Sequence, residues 1–315
     1  MTSPASPFQF EHPSDVLKIA LQWFDAGNPV ALAVVSGVQG GGVRTLGDMM
    51  AVRADGAYAG YLSGGCVDSD IITQAQACID EQLPRRVRYG ADSPYADIVL
   101  PCGGALDINI FPVQNGSSLQ RIVDVLATRS RCNVQLAEDG LVPSLEGDGA
   151  SLATYKPKLT LRVAGRGADA TAILAQAVSC GLNVSLWSND EACLRQVSVG
   201  EGISTHILST PTALPACIDD PYTAFILLYH DPYWEDYLLD QALNSQAFYI
   251  GAVGSARTHA RRLERLRERG ASDEALLRVR GPIGLVPSLR SASFLAVSVL
   301  AEIIQEYEQL GKNVP

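Results

Sequence analysis

The strongest constraint on the fold is the alternation of apolar strands and helices after residue 158. The strand Leu159–Ala164 precedes a helix over Ala170–Cys180, and the alternation continues to a long final helix, Ser291–Gln309. Because a crossover helix returns the chain to the same end of a sheet, this order predicts parallel strands covered by helices on both faces. The fold class predicted for this part is α/β, a Rossmann-like doubly wound parallel sheet. Its other predicted strands are Leu182–Trp187, Ser204–Leu208, Ala224–Tyr229 and Phe248–Val253.

A glycine turn joins the first strand of this part to its helix. Gly165-Arg166-Gly167, with Ala170 three residues later, has the spacing and the context of a nucleotide-binding turn. The acid that usually follows the second strand is represented only by Asp190. Two interpretations stay open: the turn binds a nucleotide or a phosphate, or it only packs the helix on the sheet.

Polar residues follow two later strands. His230 and Asp231 come directly after Ala224–Tyr229, and ligands of doubly wound sheets collect at the carboxyl ends of strands. The stretch around the next strand end adds Gly251, Gly254, Ser255, Arg257 and His259. We predict an anion pocket there, although a lone histidine is more often a capping or core residue. The other arginines of the helix Arg257–Arg269 are predicted to form a solvated face.

The first part of the chain lacks this alternation and is predicted to be a mixed α/β domain over residues 1–145. Residues 146–158, rich in Gly, Ser and Pro, are predicted to be a linker, and residues 159–315 form the second domain. The central feature of the first domain is Ser63-Gly64-Gly65-Cys66, between a predicted strand and a predicted helix.

Glycines allow a sharp turn, and a helix start offers free N–H groups that favour an anion and lower the pKa of a thiol. Cys66 is therefore predicted to be an activated thiol at an anion-binding turn. The alternative is a tight turn followed by a small buried cysteine. Cys102-Gly103-Gly104 forms a second turn of the same kind.

Composition excludes several classes of protein. A net charge of −10 over 315 residues argues against a nucleic-acid or membrane-surface partner. The 7 cysteines are scattered and contain no CxxC pair, which is typical of free thiols in a reducing cytosol. The sequence shows no signal peptide and no apolar run long enough to span a membrane, so the predicted location is cytoplasmic.

These motifs together resemble the XdhC/CoxI family, the accessory factors of xanthine dehydrogenase and related molybdenum hydroxylases. The resemblance covers both domains. It is carried by Arg44-Thr45-Leu46-Gly47, Ser63-Gly64-Gly65-Cys66-Val67, Pro101-Cys102-Gly103-Gly104, Gly165-Arg166-Gly167, His230-Asp231-Pro232, the run from Tyr249 to His259, and Arg280-Gly281-Pro282-Ile283-Gly284-Leu285.

The resemblance implies a chaperone that binds the molybdenum cofactor, a molybdopterin with a phosphate and a dithiolene-held metal. It implies support for the cofactor's sulfuration by a cysteine desulfurase, insertion into an apo molybdenum hydroxylase, and a homodimer. Cys66 and Cys102 are the implied reactive residues, and Cys66 is the implied metal ligand. The predicted cofactor-binding residues are Arg44, Ser63, Gly64, Gly65, Cys66, Gly103, Gly104, Gly165, Arg166, Gly167, His230, Asp231, Gly251, Gly254, Ser255, Arg257 and His259.

Two other functions remain open. An NAD(P)-dependent oxidoreductase would use the glycine turn at Gly165, and a nucleotide at that turn is compatible with either function. A pure scaffold would dock the desulfurase to the dehydrogenase without a cofactor of its own. The chain departs from the family at Ser188-Asn189, where an acidic pair is common, and at Val286–Ser293, which replaces an acidic, glycine-containing segment. An accessory factor is favoured over an enzyme.

Overall fold

The computed structural model describes residues 11–40, 44–63, 65, 67–91, 93, 103–144 and 151–310. The chain divides into two compact units, Met1–Pro157 and Lys158–Pro315. None of the described helices is both long and apolar enough to cross a membrane.

The first unit is built on two antiparallel sheets. Five strands follow the order β3-β2-β1-β5-β4, and three other strands follow the order β7-β6-β8. The elements are α1 (Pro13–Asp25), β1 (Val30–Gln39), β2 (Met49–Arg53), β3 (Tyr58–Gly60), α2 (Asp68–Glu81), β4 (Arg85–Gly90), β5 (Ala105–Pro112), α3 (Ser117–Ala127), β6 (Cys132–Ala137), β7 (Gly140–Pro143) and β8 (Ala153–Tyr155).

The apolar run at the start of β1 is explained by two cores. Alternate side chains of a strand point to opposite faces. Val30, Leu32 and Val34 pack with α1 and α3, whereas Ala31, Ala33 and Val35 pack with α2. A strand buried on both faces has no polar side to alternate with, so its sequence is apolar throughout.

The stretch predicted as a linker contains a strand. β8 pairs with β6, and the side chain of Tyr155 is buried in the first core. The hairpin of β6 and β7 leaves one edge of β6 open, and β8 covers that edge. The prediction of a linker over residues 146–158 is therefore wrong for 153–155, because pairing across the chain overrides a locally loop-like composition.

The second unit is a doubly wound parallel sheet, which confirms the predicted fold class. Six parallel strands follow the order β11-β10-β9-β12-β13-β14. The elements are β9 (Thr160–Ala164), α4 (Gly167–Ser179), β10 (Asn183–Ser188), α5 (Glu191–Arg195), β11 (Ile203–Ile207), β12 (Thr223–Leu227), α6 (Pro232–Leu243), β13 (Tyr249–Ala252), α7 (Ala256–Glu268), α8 (Asp273–Leu277), β14 (Val279–Arg280) and α9 (Ala292–Gln309).

Helices cover both faces of this sheet. Residues of α4 and α9 share one core with β9, β10 and β12, and residues of α6 and α7 share another core with the opposite face. The chain starts at β9, runs outward to β11, and then returns to β12 on the other side of β9. Ligands of such sheets bind outside the carboxyl ends of strands at this reversal. We call this side of the unit the carboxyl edge.

The arginines of α7 form a solvated face, as predicted, at the exposed positions Arg261 and Arg267, but not at Arg262. Arg262 is 0% exposed and its guanidinium donates to both carboxylate oxygens of Glu235, at 3.1 Å each. Arg265 donates to the same carboxylate at 2.8 Å. A buried guanidinium requires a paired carboxylate, and Glu235 lies on α6, where the spacing of α7 gives no sign of it.

Candidate functional site

Three loops meet at one end of the five-stranded sheet. Since every pair in this sheet is antiparallel, the end of β1, the start of β2, the end of β3, the end of β4 and the start of β5 lie on the same side. The loops between β1 and β2, between β3 and α2, and between β4 and β5 therefore share that side. We call it the triple-loop edge. It carries the described residues of the Arg-Thr-Leu-Gly, Ser-Gly-Gly-Cys and Cys-Gly-Gly motifs.

The first of these loops is held in shape by its own side chains and by β8. The Thr45 N–H and hydroxyl donate to the Asp48 carboxylate at 2.9 and 3.1 Å. Gly47 has a φ of +86°, and a Cβ there would lie 2.6 Å from the Cβ of Ala153. The Tyr155 hydroxyl donates to the Gly47 carbonyl at 2.6 Å. The strand mistaken for a linker thus supports the candidate site.

The first loop places Arg44 in contact with Tyr61 at the start of the second loop. The Arg44 guanidinium carbon lies 4.0 Å from the centroid of the Tyr61 ring, a cation–π contact. The Nε of Arg44 is buried and has no hydrogen-bond partner among the described residues. A buried guanidinium N–H without an acceptor is unfavourable, so this position favours an anionic ligand.

The second loop binds a carboxylate of this same chain, that of Asp68, with its backbone N–H groups. The Asp68 carboxylate accepts from the N–H groups of Leu62 at 3.0 Å, Ser63 at 2.9 Å and Gly65 at 3.2 Å. The Ser63 hydroxyl oxygen accepts from Gly65 and Val67, both at 3.1 Å. The described N–H groups of this turn, those of Ser63, Gly65 and Val67, are thus already paired within the turn. A ligand phosphate here would have to displace Asp68.

The third loop packs on the first. A Cβ on Gly40 would lie 3.2 Å from the Cα of Gly104, so the two backbones are in direct contact. Arg88 crosses this junction: it donates to the side chains of Gln39 at 2.6 Å and Asp107 at 2.9 Å. Gly104 of the second Cys-Gly-Gly turn therefore lies beside the β1–β2 loop.

The two cysteines singled out from the sequence, Cys66 and Cys102, lie outside the described residues, as does Gly64. Their described neighbours Gly65 and Gly103 belong to the triple-loop edge. Burial raises the pKa of the Cys78 thiol to about 11 and also raises that of Cys132, so these two are inert core thiols. Across the described part of the chain, no three His, Cys, Asp or Glu side chains are grouped to hold a metal ion.

The second candidate region lies at the carboxyl edge of the other unit. A cleft of about 340 Å³ opens between the residues after β9 and those after β12, and Arg166, Asp169, Tyr229 and His230 line it. A Cβ on Gly165 would lie 2.6 Å from that of Leu228, so only glycine lets this turn lie against β12.

The start of α4 faces this cleft without a side-chain cap. Gly167 begins the helix with a φ of +76°, and no described side chain caps the helix. The first N–H groups of such a helix carry partial positive charge and suit a phosphate or another anion. Arg166 and His230 are exposed at the same cleft. Asp231 caps α6 instead, accepting from the Tyr233 N–H at 3.0 Å.

Comparison with known proteins covers both units. Residues 23–90 match the XdhC and CoxI family, and residues 161–303 match the XdhC Rossmann domain. The chain is 33% identical over 310 residues to the molybdenum cofactor insertion chaperone PaoD of Escherichia coli (strain K12), covering 95% of this chain and 90% of PaoD. The chain belongs to the XdhC and CoxI family.

Two weaker similarities, one in sequence and one in structure, also extend over most of the chain. The uncharacterized protein YqeB of Escherichia coli (strain K12) is 24% identical over 282 residues, which are 88% of this chain and 43% of YqeB. A crystal structure described as a xanthine dehydrogenase from Bacillus halodurans has a TM-score of 0.77 and 21% identity, covering 96% of this chain and 98% of the other. The fold of this XdhC and CoxI family member is therefore shared with that structure over nearly the whole length of the chain.

The remaining predicted residues of this family member lie at the ends of β13 and α7. Ser255 caps α7 by accepting from the Thr258 N–H at 3.1 Å. Gly251 is buried inside β13, where a Cβ would lie 2.8 Å from the Ile283 side chain. Arg257 is exposed. These positions shape the carboxyl edge, and among these three Arg257 is the one with a charged and exposed side chain.

Sequence reasoning missed several residues that build the two regions. Tyr61, Asp68, Arg88 and Tyr155 hold the triple-loop edge, and the Tyr229 hydroxyl links β12 to Asn189 beyond β10, at 3.0 Å from its N–H and 3.1 Å from its side-chain oxygen. Asp68 had a usable signal, because an acid in the first turn of a helix after a glycine turn is a common backbone acceptor. The others depend on pairing between distant parts of the chain, which local spacing does not encode.

Proposed function

We propose that this chain is a molybdenum cofactor chaperone, which binds the cofactor and inserts it into an apo molybdenum hydroxylase of the xanthine dehydrogenase type. The observation that carries the proposal is the 33% identity to a molybdenum cofactor insertion chaperone across 95% of this chain. Identity of this extent over both units supports a shared task more strongly than a shared domain would.

The chemistry of the triple-loop edge supports this cargo. A molybdopterin combines anionic oxygens with a soft, sulfur-bound metal. Arg44 brings a positive charge and a buried Nε that no described residue pairs, both of which suit an anion. Thiolates are ligands for soft metals, and we assign that role to Cys66, with Cys102 as the second reactive thiol.

The carboxyl edge of the second unit is proposed, by itself, to bind a phosphate group or a nucleotide. The uncapped start of α4 offers N–H groups, and Arg166 adds a positive charge beside them. The strand order and the glycine turn also suit a nucleotide, so a nucleotide-bearing form of the cofactor is compatible with this cleft.

The finer steps are proposals that rest on the family. We assign to the chain a role in sulfuration of the cofactor, with a cysteine desulfurase as the sulfur donor, and a homodimeric state in the cytosol. The scattered cysteines support a reducing compartment.

An NAD(P)-dependent oxidoreductase is the second candidate, favoured by the Rossmann strand order. The weak point of this candidate is the acidic residue that would bind the ribose of the dinucleotide. Asp190 lines a larger cleft of about 540 Å³ beside α4. However, one of its carboxylate oxygens caps α5, accepting from the N–H groups of Ala192 at 2.9 Å and Cys193 at 3.3 Å. Titration with NAD+ and NADP+, followed by tryptophan fluorescence, tests this candidate, and absence of binding of either dinucleotide contradicts it.

Delivery is tested with an apo molybdenum hydroxylase. The chain is loaded with cofactor, separated from free cofactor and mixed with the apo-enzyme, whose regained activity is then measured. The proposal predicts faster and more complete activation than an equal amount of free cofactor gives. Activation no better than that by free cofactor contradicts insertion by this chain.

A further inference from the structure

One side of the second unit exposes a row of apolar residues. α4 and α9 pack against each other and share one core with the sheet. On the outer side of α9, Phe294 is 67% exposed, Val297 is 58% exposed and Ile304 is 39% exposed. Together with Ala301 these residues recur every three or four positions, which places them in one row along the helix. Because soluble proteins seldom expose a continuous apolar patch, this row indicates an interaction surface.

The loop before α9 and the neighbouring helix extend this row. The Leu285 N–H donates to the Ser298 carbonyl at 3.3 Å, and the Val286 N–H donates to the Ser298 hydroxyl at 2.8 Å. The backbone of the loop is thereby fixed against α9, while the side chains of Leu285 and Val286 are exposed. Val178 is exposed on α4. We call the outer sides of α4 and α9, together with Leu285 and Val286, the α4–α9 face.

A hollow lies beside the exposed row. The cleft of about 540 Å³ between α4, α5 and the start of α9 is lined largely by small side chains, those of Ala168, Ala172, Ala175, Ala192 and Ala292. Its charged lining residue, Asp190, caps α5. Ser293 also lines the cleft, and Phe294 is the next residue of α9. The α4–α9 face thus carries an exposed aromatic ring and, next to it, a hollow that could hold such a ring.

The α4–α9 face is nearly uncharged, although the net charge of the chain is −10. Asp169 and Glu302 are the two charged residues of α4 and of α9 up to Ile304. Asp169 lines the other cleft, at the carboxyl edge. The Glu302 carboxylate is largely buried and accepts from the Tyr249 hydroxyl and the Gly284 N–H. Because two copies of an acidic protein repel each other, a face without exposed charge is where they can meet.

We propose that a second copy of this chain covers the α4–α9 face, with Phe294 of each copy inserted in the hollow of the other. A twofold contact requires a surface that is complementary to itself. A protruding ring next to a hollow meets this requirement, because rotation by half a turn places each ring on the partner's hollow. The inference rests on the homodimeric state assigned under the proposed function, and it adds the surface through which the dimer forms.

The first test replaces the protruding ring with a charge. Ser291 caps α9 by accepting from the Phe294 N–H at 3.4 Å, and a glutamate three residues after a serine cap is favourable for a helix. Phe294→Glu should therefore keep the fold, which far-UV circular dichroism checks. Sedimentation of the full chain at micromolar concentrations should show a wild-type dimer. The variant should dissociate with a constant raised about thirtyfold or more, as for a central interface residue.

The matched control carries the same charge outside this face. Ile218 is 95% exposed and lies in the loop before β12. Ile218→Glu should leave the dimer unchanged, because it removes an exposed apolar side chain without touching α4 or α9. A dimer weakened equally by Ile218→Glu and Phe294→Glu would overturn the assignment to the α4–α9 face.

The second test pairs the ring with the hollow. Ala175→Lys places a charge in the hollow and should also give monomers, since both hollows of the dimer are then filled. Mixing Ala175→Lys with Phe294→Glu should restore a dimer of one copy of each. In that dimer one contact pairs lysine with glutamate, and the other contact is the wild-type one. A mixture that stays monomeric overturns the insertion of Phe294 into the hollow.

The outcomes distinguish this inference from the proposed function. A wild type that stays monomeric overturns both the surface and the homodimeric state. A wild-type dimer that persists in Phe294→Glu and in Ala175→Lys overturns the surface alone. If one of these variants does not fold, the other, which lies on a different helix, decides. Absence of molybdenum and pterin from the same wild-type sample would contradict the chaperone function while leaving the result on the dimer in force.

Discussion

At the scale of single residues, the triple-loop edge depends on Arg44. Its guanidinium stacks on Tyr61 and its Nε is buried without a described partner. In the adjacent turn the N–H groups of Leu62, Ser63 and Gly65 already donate to the Asp68 carboxylate, so these groups attract a second anion only weakly. Arg44 is therefore the described group at this edge that best suits an anionic oxygen of the cargo.

Replacing Arg44 with Met should weaken cofactor binding by about tenfold or more, because a charge-assisted hydrogen bond is lost. The free energy of unfolding should fall by only about 1 kcal/mol, the size of the cation–π contact. Binding is measured by equilibrium titration and stability by urea unfolding. Arg44→Lys keeps the positive charge but lacks the planar guanidinium group, so its affinity for the cofactor should lie between those of the wild type and Arg44→Met. Wild-type affinity in Arg44→Met would exclude a contact with the cargo.

Alanine substitutions at two glycines distinguish the cost of backbone strain from a loss of ligand binding. Gly167 and Gly181 flank α4, have φ values of +76° and +72°, and have no atom within 4 Å of an added Cβ. Alanine at either position should cost about 1 kcal/mol of stability, since a left-handed backbone disfavours a side chain. Only Gly167→Ala should also weaken binding of phosphate or nucleotide. Equal affinities in the two variants would remove the start of α4 from the site.

At the scale of elements, the carboxyl edge requires β10 and β12 to end at a fixed distance. Tyr229 provides this link, since its hydroxyl accepts from the Asn189 N–H and donates to the Asn189 side chain. The buried hydroxyl has a raised pKa, mainly because of burial. The link spans β9, the strand that ends in the glycine turn.

Tyr229→Phe should lower the free energy of unfolding by about 1 kcal/mol, the net value of a hydrogen bond. It should also weaken phosphate binding, because Tyr229 lines the cleft and would lose the hydrogen bonds to Asn189 that hold it in place. The matched control is Tyr233→Phe, at a residue that is 56% exposed, and this variant should change neither property. Urea unfolding and phosphate titration of both variants check this. Identical behaviour of the two variants would contradict the link.

The elements also show what the sequence can and cannot predict. The doubly wound sheet is predictable because strand and helix periods alternate locally and the glycine turn marks the first crossover. Strand β8 and the buried Arg262 are not predictable, because β6 and Glu235, which stabilise them, lie far away in the sequence. The three motif loops were each identified, yet their meeting at one edge follows from antiparallel pairing, which no single motif encodes.

At the scale of the whole molecule, both units bury weak acids in neutral form. Burial raises the pKa of Cys78 to about 11, and it raises the pKa values of Cys132 and Tyr155 in the first unit and of Cys217 and Tyr249 in the second. A raised pKa in the folded state adds stability that is complete below the pKa of the unfolded chain. That stability is lost as the pH rises toward the folded pKa.

The chain should therefore be less stable at pH 10 than at pH 8. Cys78 alone accounts for about 1.4 kcal/mol of this loss, since the pH unit from 9 to 10 lies between the ordinary pKa of a thiol, 9.0, and the folded pKa of about 11. Urea unfolding under reducing conditions at the two pH values measures it. Cys78→Ala should show a smaller loss between the two pH values, while Cys180→Ala, at an exposed position, should match wild type. Equal stability of the wild type at both pH values would contradict burial of these groups.

The central claim is that this chain carries the molybdenum cofactor at the triple-loop edge. The most direct test is the molybdenum and pterin content of protein purified from a host that makes the cofactor, by mass spectrometry and by fluorescence after oxidation. Wild type and Cys180→Ala should retain both in stoichiometric amounts, and Cys66→Ala should lose them. Absence of both from the wild type, together with no binding of added free cofactor, would contradict the claim. Full retention by Cys66→Ala would contradict its assignment to Cys66.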